Sequence, residues 1–249
     1  MTAAMIGIGN FFFKYRNKAF PVIVVALMLM APPSSPLHGS TALEHAKDLA
    51  AVLLVFAGLA LRATVIGYAY IQRGGLAKRV YAKDLVTEGM FGVCRNPLYV
   101  GNMLLYSGFF LFHGNPLVVA LGIATFAFIY QCIVLAEEEF LEQKFGDAYR
   151  AYCRDVPRWG LRLSNFRRST DGLVFNVRRI VVKDYSTVSA ALITLLAIEF
   201  YRLARDGSLA QSLPHLSLLA ALLATVGVAT ATLSLLKRRG AFRRPKPLR

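Results

Sequence analysis

Apolar and polar positions alternate along this chain on the scale of whole segments, not of single residues. Apolar runs occupy 20–32, 49–71, 97–112, 116–136, 186–203 and 213–236, with charged or turn-forming stretches between them. Crossing about 30 Å of hydrocarbon takes about 20 helical residues, within a range of about 17 to 25. The second, fourth and sixth runs suffice as they stand, and the third is short. The first suffices if its helix starts near Phe11 and lets Lys14, Arg16 and Lys18 extend their charges to the interface. The pattern therefore predicts an all-α integral membrane protein with about six transmembrane helices. Five is the fallback, with the first run as an interfacial helix. The first run is read as a retained span, because it ends in AlaProProSerSerPro and further runs follow it.

The third and fourth runs meet at HisGlyAsnPro, 113–116, which leaves room only for a tight central helical hairpin. Two helices running out and back bring residues near 95–102 beside residues near 136–138. After the fourth run, Phe140, Leu141, Phe145, Tyr149 and Tyr152 recur at helical spacing among charged positions, which predicts an amphipathic helix at the cytosolic interface. Gly146 is a candidate interruption. Pro157 ends this helix, and Trp159 is a candidate interface anchor. One membrane domain, 1–249, is expected, with 186–236 as an additional transmembrane pair.

Of the 249 residues, 56% are hydrophobic and 17% charged, against about 25% charge in ordinary soluble domains. The formal charge of +15 raises nucleic acid as a partner, but its distribution points elsewhere. Lys14, Arg16 and Lys18 precede the first run, and Arg73, Lys78, Arg79 and Lys83 follow the second. Ten basic residues lie between Glu137 and Tyr185, and seven between Lys237 and Arg249. The alternate turns hold few. This is the positive-inside pattern, so topology and anionic headgroups account for the charge, no nucleic acid is expected, and both termini are placed in the cytoplasm of a bacterial inner membrane. Cys94, Cys132 and Cys153 have no CxxC or Cys/His spacing, so neither a disulfide framework nor a metal site follows.

ArgAsnProLeuTyrValGlyAsn, 95–102, sits at the polar edge of the third run. One reading is structural: Arg95 meets headgroup phosphate, Pro97 takes the first helical position, and Tyr99 belongs to an aromatic belt. The other reading starts from Glu137 and Glu138, directly after an apolar run, where an unpaired carboxylate is unfavourable. The hairpin puts Arg95 near one of them, and the pair would suit a zwitterionic ligand such as an amino-acid headgroup.

The segment LeuValThrGluGlyMetPheGlyValCysArgAsnProLeuTyrValGlyAsn, then GluGluGluPheLeuGluGlnLysPheGlyAspAlaTyrArgAlaTyr and ValProArgTrp, resembles the integral-membrane methyltransferases that include isoprenylcysteine carboxyl methyltransferase and the phospholipid N-methyltransferases. The resemblance covers 84–159, a family-like catalytic core. It implies a helical membrane enzyme that binds S-adenosyl-L-methionine near the cytosolic helix ends and methylates a lipid-like or membrane-embedded acceptor, a prenylcysteine carboxylate or a phospholipid amine among them. The family's ArgHisPro-x-Tyr-x-Gly maps onto Arg95, Asn96, Pro97, Tyr99 and Gly101, and its paired glutamates onto Glu137 and Glu138, with Glu139 as an extra acid. Arg95, Tyr99 and Glu138 are thereby implied in catalysis, and Asn96, Pro97, Tyr99, Gly101, Glu137 and Glu138 in cofactor binding. Asn96 replaces the family histidine. It still donates and accepts hydrogen bonds but cannot titrate near neutrality.

The rival reading is an NADPH-dependent membrane reductase of a hydrophobic substrate, and a transporter or scaffold is a third. Arg62, inside the second run, is open to substrate-headgroup contact or internal pairing. Glu199 and Arg202 can pair on one helical face. His38, His45, His113 and His215 fall near the non-cytosolic turns, away from the expected chemistry. The segment 13–21, PheLysTyrArgAsnLysAlaPhePro, adds no chemistry that its residues alone reveal. Partners beyond membrane lipids and a hydrophobic acceptor, the oligomeric state included, are not specified by the sequence.

Overall fold

In the computed structural model, residues 2–33, 40–68, 80, 82–205 and 213–242 are described. His38, the basic residues Arg73, Lys78 and Arg79, and the basic stretch 243–249 lie outside them. The described chain is helical throughout and divides into two compact units, 1–174 and 175–249.

The first unit contains α1 (Thr2–Leu29), α2 (Thr41–Tyr68), a 3-10 turn (Gly89–Gly92), α3 (Pro97–His113), α4 (Pro116–Phe145), α5 (Asp147–Asp155), a second 3-10 turn (Leu163–Asn165) and α6 (Phe166–Thr170). The second contains α7 (Val177–Arg205) and α8 (Leu213–Arg238). Four helices, α2, α4, α7 and α8, are long and apolar enough to cross a membrane, so the protein is an all-α membrane protein.

The first unit is built from two antiparallel helix pairs that small residues allow to approach closely. A Cβ on Gly9 of α1 would fall 2.0 Å from the carbonyl oxygen of Cys132 in α4. A Cβ on Gly58 of α2 would lie 2.6 Å from the carbonyl oxygen of Gly101 in α3. In an apolar solvent such close backbone contact, not water expulsion, is the main attraction between helices. Between the pairs lies an aromatic core: Tyr106 stacks on Phe126 at 3.9 Å, and Phe20 meets Phe126 and Tyr130 edge-on at 5.3 and 5.6 Å. Each such pair contributes about 0.5–1.5 kcal/mol beyond area burial.

Between α3 and α4 stand only Gly114 and Asn115. Gly114, at φ 87°, closes α3 with its N–H on the carbonyl of Phe110, and Asn115 caps α4 by accepting from the N–H of Leu117 at 3.0 Å, ahead of Pro116. His113 is fully buried there, its Nε2 3.1 Å from the carbonyl oxygen of Met28, while Asn115 Nδ2 donates to the carbonyl of Pro32 at 2.8 Å. His113 thus fastens the hairpin to the end of α1.

Several helix boundaries differ from the apolar runs read in the sequence: α2 starts earlier, at Thr41, and α7 earlier, at Val177, and two further differences bear on the site. The first helix begins at Thr2, not near Phe11, so Lys14, Arg16 and Lys18 occupy the middle of α1. Its N-terminal turns are held by the contact of Gly9 with α4, which a hydropathy pattern does not register. The fourth helix continues past Ala136 to Phe145, and Gly146, at φ 52°, separates it from the short polar-apolar α5. Trp159 donates to Gln131 of α4 at 3.0 Å, which ties it to the bundle.

In the second unit, α7 and α8 are joined by the hydroxyls of Ser189 and Thr230, 2.6 Å apart, and Glu199 lies 3.6 Å from Arg202 and 3.5 Å from His215.

Candidate active site

The N-terminus of α3 is positioned by the loop before it, and that loop is stitched to the chain after α5. The N–H of Arg95 donates to the carbonyl of Pro157 at 2.9 Å, and the N–H of Arg162 to that of Val93 at 3.0 Å. Asn165 Nδ2 donates to the carbonyl of Gly92 at 3.1 Å, and the Tyr152 hydroxyl to that of Phe91 at 2.7 Å. Met90 and Val93 pack beneath against Val65 of α2. Backbone groups that would otherwise be buried unpaired find partners, and Arg95 is held beside the Glu138 turn of α4.

Arg95 donates to Glu138 with Nη1 2.9 Å from Oε1. Glu138 also accepts a fork from Arg158: Nε to Oε1 at 3.0 Å and Nη2 to Oε2 at 2.7 Å. One carboxylate thus ties together two guanidiniums, from the loop before α3 and the segment after α5, with the charge-assisted, parallel geometry that makes arginine–carboxylate pairs strong. The side chains of Arg95 and Glu138 are each 14% exposed. Burial works against the charge on Arg95, but Glu138, and to a lesser degree Cys153 beside it, outweigh burial and hold the guanidinium pKa above its ordinary value. Cys153 Sγ lies 2.9 Å from Arg95 Nη1. Nε of Arg95 is buried and has no hydrogen-bond partner among the described residues.

One residue earlier on α4, Glu137 accepts from the Tyr99 hydroxyl at 2.7 Å. The Tyr99 ring lies 5.1 Å from that of Tyr130, at the edge of the aromatic core. Glu139 points to the exterior. Asn96 is buried, its Nδ2 donating to the carbonyl of Arg158 at 3.1 Å, so its amide helps lock the loop to the segment carrying Arg158. Pro97 is buried at the first turn of α3. Gly101 faces α2: a Cβ there would lie 2.7 Å from Cγ of Arg62 and 3.1 Å from the carbonyl oxygen of Gly58. Arg62 itself is buried and hydrogen-bonds Asn102.

The structure therefore gathers Arg95, Asn96, Pro97, Tyr99, Glu137 and Glu138 at one end of the bundle, while Gly101 serves the α2–α3 contact one turn further in. Three participants were not singled out from the sequence. Arg158 lay inside the quoted ValProArgTrp, where its position next to a helix-ending proline was the available signal. Arg16, whose Nη1 lies 3.4 Å from the Tyr99 hydroxyl, and Cys153 carried none, since neither shares a motif with the residues they meet. The cluster brings two carboxylates and three guanidiniums together within one folded unit.

A family model described as phospholipid methyltransferase matches residues 47–148, which include Arg95 to Gly101 and both glutamates. The chain is 35% identical over 83 residues to the cobalt-zinc-cadmium resistance protein CzcN of Cupriavidus metallidurans, covering 33% of this chain and 38% of that protein. It is 32% identical over 91 residues to the nickel-cobalt-cadmium resistance protein NccN of Alcaligenes xylosoxydans xylosoxydans, covering 36% of this chain and 42% of that one. An uncharacterized protein of Haemophilus influenzae is 38% identical over 63 residues, which are 25% of this chain and 98% of that protein. The aligned part thus spans about two fifths of the length of the first two relatives. No solved structure shows a significant match.

Proposed function

Because the chain belongs to the phospholipid methyltransferase family, we propose that it transfers a methyl group from S-adenosylmethionine to a lipid-like acceptor in the membrane. The observation that carries this reading is the buried, unpartnered Nε of Arg95, within a cluster where Glu138 and Glu137 present carboxylates one residue apart. A buried donor without a partner costs about 1–3 kcal/mol, and a ligand carboxylate would remove that cost. The donor set fits the methyl donor: guanidinium for its carboxylate, glutamate for its ammonium.

When bound, S-adenosylmethionine supplies a methyl group that already carries its leaving group, so the protein's work is placement and exclusion of water. Arg95 and Glu138, braced by Arg158, fix one end of the ligand. Tyr99 sets a hydroxyl and a ring face between Glu137 and the aromatic core. A carboxylate acceptor loses no proton; an amine acceptor must, and Glu137, hydrogen-bonded to Tyr99, is the base available to it. Asn96 acts here by holding the loop, and Pro97 and Gly101 by setting the start and packing of α3.

We place α1 and α3 across the membrane as well, giving six crossings, with both termini on the cytoplasmic side beside the basic clusters. The core of the chemistry lies in 84–159, and 186–236 adds a transmembrane pair.

Incubation with labelled methyl donor and a bacterial lipid extract tests the reading. Wild type should label one class of hydrophobic product. Arg95→Ala and Glu138→Gln should each lower the rate on the order of 100-fold, since each breaks a charge-assisted bond at the reacting end. Labelling indifferent to both substitutions would refute the site. Thermal-shift titration separates the reductase reading: stabilisation by NADPH with no response to S-adenosylhomocysteine would overturn methyl transfer.

A further inference from the structure

Lys14, Arg16 and Lys18 stand in the middle of α1, and they do not behave alike. Lys14 and Lys18 are exposed, whereas Arg16 is half-buried. Toward the N-terminus of α1, Gly9 rests on Cys132; toward the C-terminus, Phe20 packs on Phe126 and Tyr130. Arg16 lies between these two anchors on the helix and turns into the bundle. Its guanidinium sits over the Phe13 ring, 4.7 Å from the centroid, and its Nη1 lies 3.4 Å from the Tyr99 hydroxyl. That hydroxyl donates to Glu137.

A guanidinium has five N–H donors in a fixed fork and no acceptor. Arg95 and Arg158 each pair with the carboxylate of Glu138. Arg16 has one long bond to a neutral hydroxyl, with Glu137 on the far side of that hydroxyl and within reach of its charge, and it makes no carboxylate contact of salt-bridge length among the described residues. A charge within a transmembrane bundle ordinarily faces the interior and pairs there or marks the path of a charged ligand. The geometry points to Arg16 as an oxyanion-binding residue of the same site, contributed by α1 to a cluster otherwise drawn from α3, α4 and the segment after α5. The inference rests on the methyltransferase reading. The oxyanion is either the carboxylate of the methyl donor's amino-acid portion or the phosphate or carboxylate of the acceptor.

The test uses full-length Arg16→Ala, Arg16→Gln and Arg16→Lys, with Lys14→Ala as the control on an exposed neighbour. Calorimetry measures S-adenosylhomocysteine and its decarboxylated analogue, and labelled-donor kinetics give the acceptor KM. If Arg16 holds the donor's carboxylate, Arg16→Ala and Arg16→Gln weaken S-adenosylhomocysteine roughly 10- to 100-fold but leave the decarboxylated analogue unchanged. If it holds the acceptor, both nucleosides bind as in wild type and the acceptor KM rises by a similar factor. Arg16→Lys recovers part of either loss, and Lys14→Ala matches wild type. Repetition in a Tyr99→Phe background separates contact from positioning: an effect of Arg16 that disappears there acts through Tyr99 and overturns the assignment. Unchanged affinity and unchanged KM in folded Arg16→Gln overturn it as well, with methyl transfer left standing. A wild type that neither binds S-adenosylhomocysteine nor labels lipid refutes the methyltransferase reading, and this inference with it.

Discussion

Glu138 is the residue on which the cluster turns, because it receives Arg95 and both prongs of the Arg158 fork. Replacing Arg158 by Ala leaves Glu138 with one partner and frees the segment that holds Asn96. Arg158 is 38% exposed, so the loss should fall below the roughly 3–5 kcal/mol of a fully buried pair, at about 1–2 kcal/mol. Denaturation of the detergent-solubilised protein reads this directly, and Arg158→Lys should recover little, since an ammonium cannot make the fork. The thiols separate by environment as well. Burial pushes the Cys94 thiol pKa up, and the nearby backbone N–H of Asn96 and the charge of Arg95 only partly oppose it; Cys132 is buried in α4 and Cys153 is partly accessible. Under native conditions a small maleimide should therefore modify Cys153 first, and Cys94 and Cys132 only on unfolding. Prompt labelling that survives Cys153→Ser would contradict the arrangement around Arg95.

Among elements, Gly9 marks the tightest glycine contact among the described residues, α1 against α4. With the Cys132 carbonyl oxygen 2.0 Å from where a Cβ on Gly9 would stand, Gly9→Ala forces the helices apart and should cost about 1–3 kcal/mol by overpacking. The same change at Gly7, where a Cβ meets nothing within 4 Å, should be neutral or slightly stabilising through helix propensity. A melting comparison of the two variants isolates the contact. The hairpin between α3 and α4 was legible in HisGlyAsnPro because each residue has a local job: Gly114 takes the left-handed conformation, Asn115 caps and Pro116 starts the helix. The true start of α1 was not legible, since hydropathy around Lys14, Arg16 and Lys18 argues against a span and the contact of Gly9 with α4 that holds the turns before them is tertiary. The continuation of α4 to Phe145 was hidden for a related reason: the change from apolar to charged residues marks a change of surroundings, not the end of a helix.

For the whole molecule, charge distribution is the argument for orientation. Basic residues recur at 14–18, through 144–183 and from Lys237, and the proposal of two cytoplasmic termini rests on reading that recurrence by the positive-inside rule. Reporter fusions at each terminus should both report the cytoplasm, and opposite signals would exclude an even number of crossings. The two compact units, 1–174 and 175–249, put every residue of the candidate site in the first. What the sequence by itself determined is the helical membrane class, the hairpin, and the approach of 95–102, Arg95 above all, to Glu137 and Glu138, because apolar length, turn chemistry and charge bias act through neighbours in the chain. Only the tertiary structure decided which acid each takes, Glu138 for Arg95 and Glu137 for Tyr99. It also brought Arg158 and Arg16 to them and turned Asn96 toward a backbone carbonyl. Those choices depend on the distance at which helices pack and on which donors burial leaves without water, and neither quantity is carried by residue order.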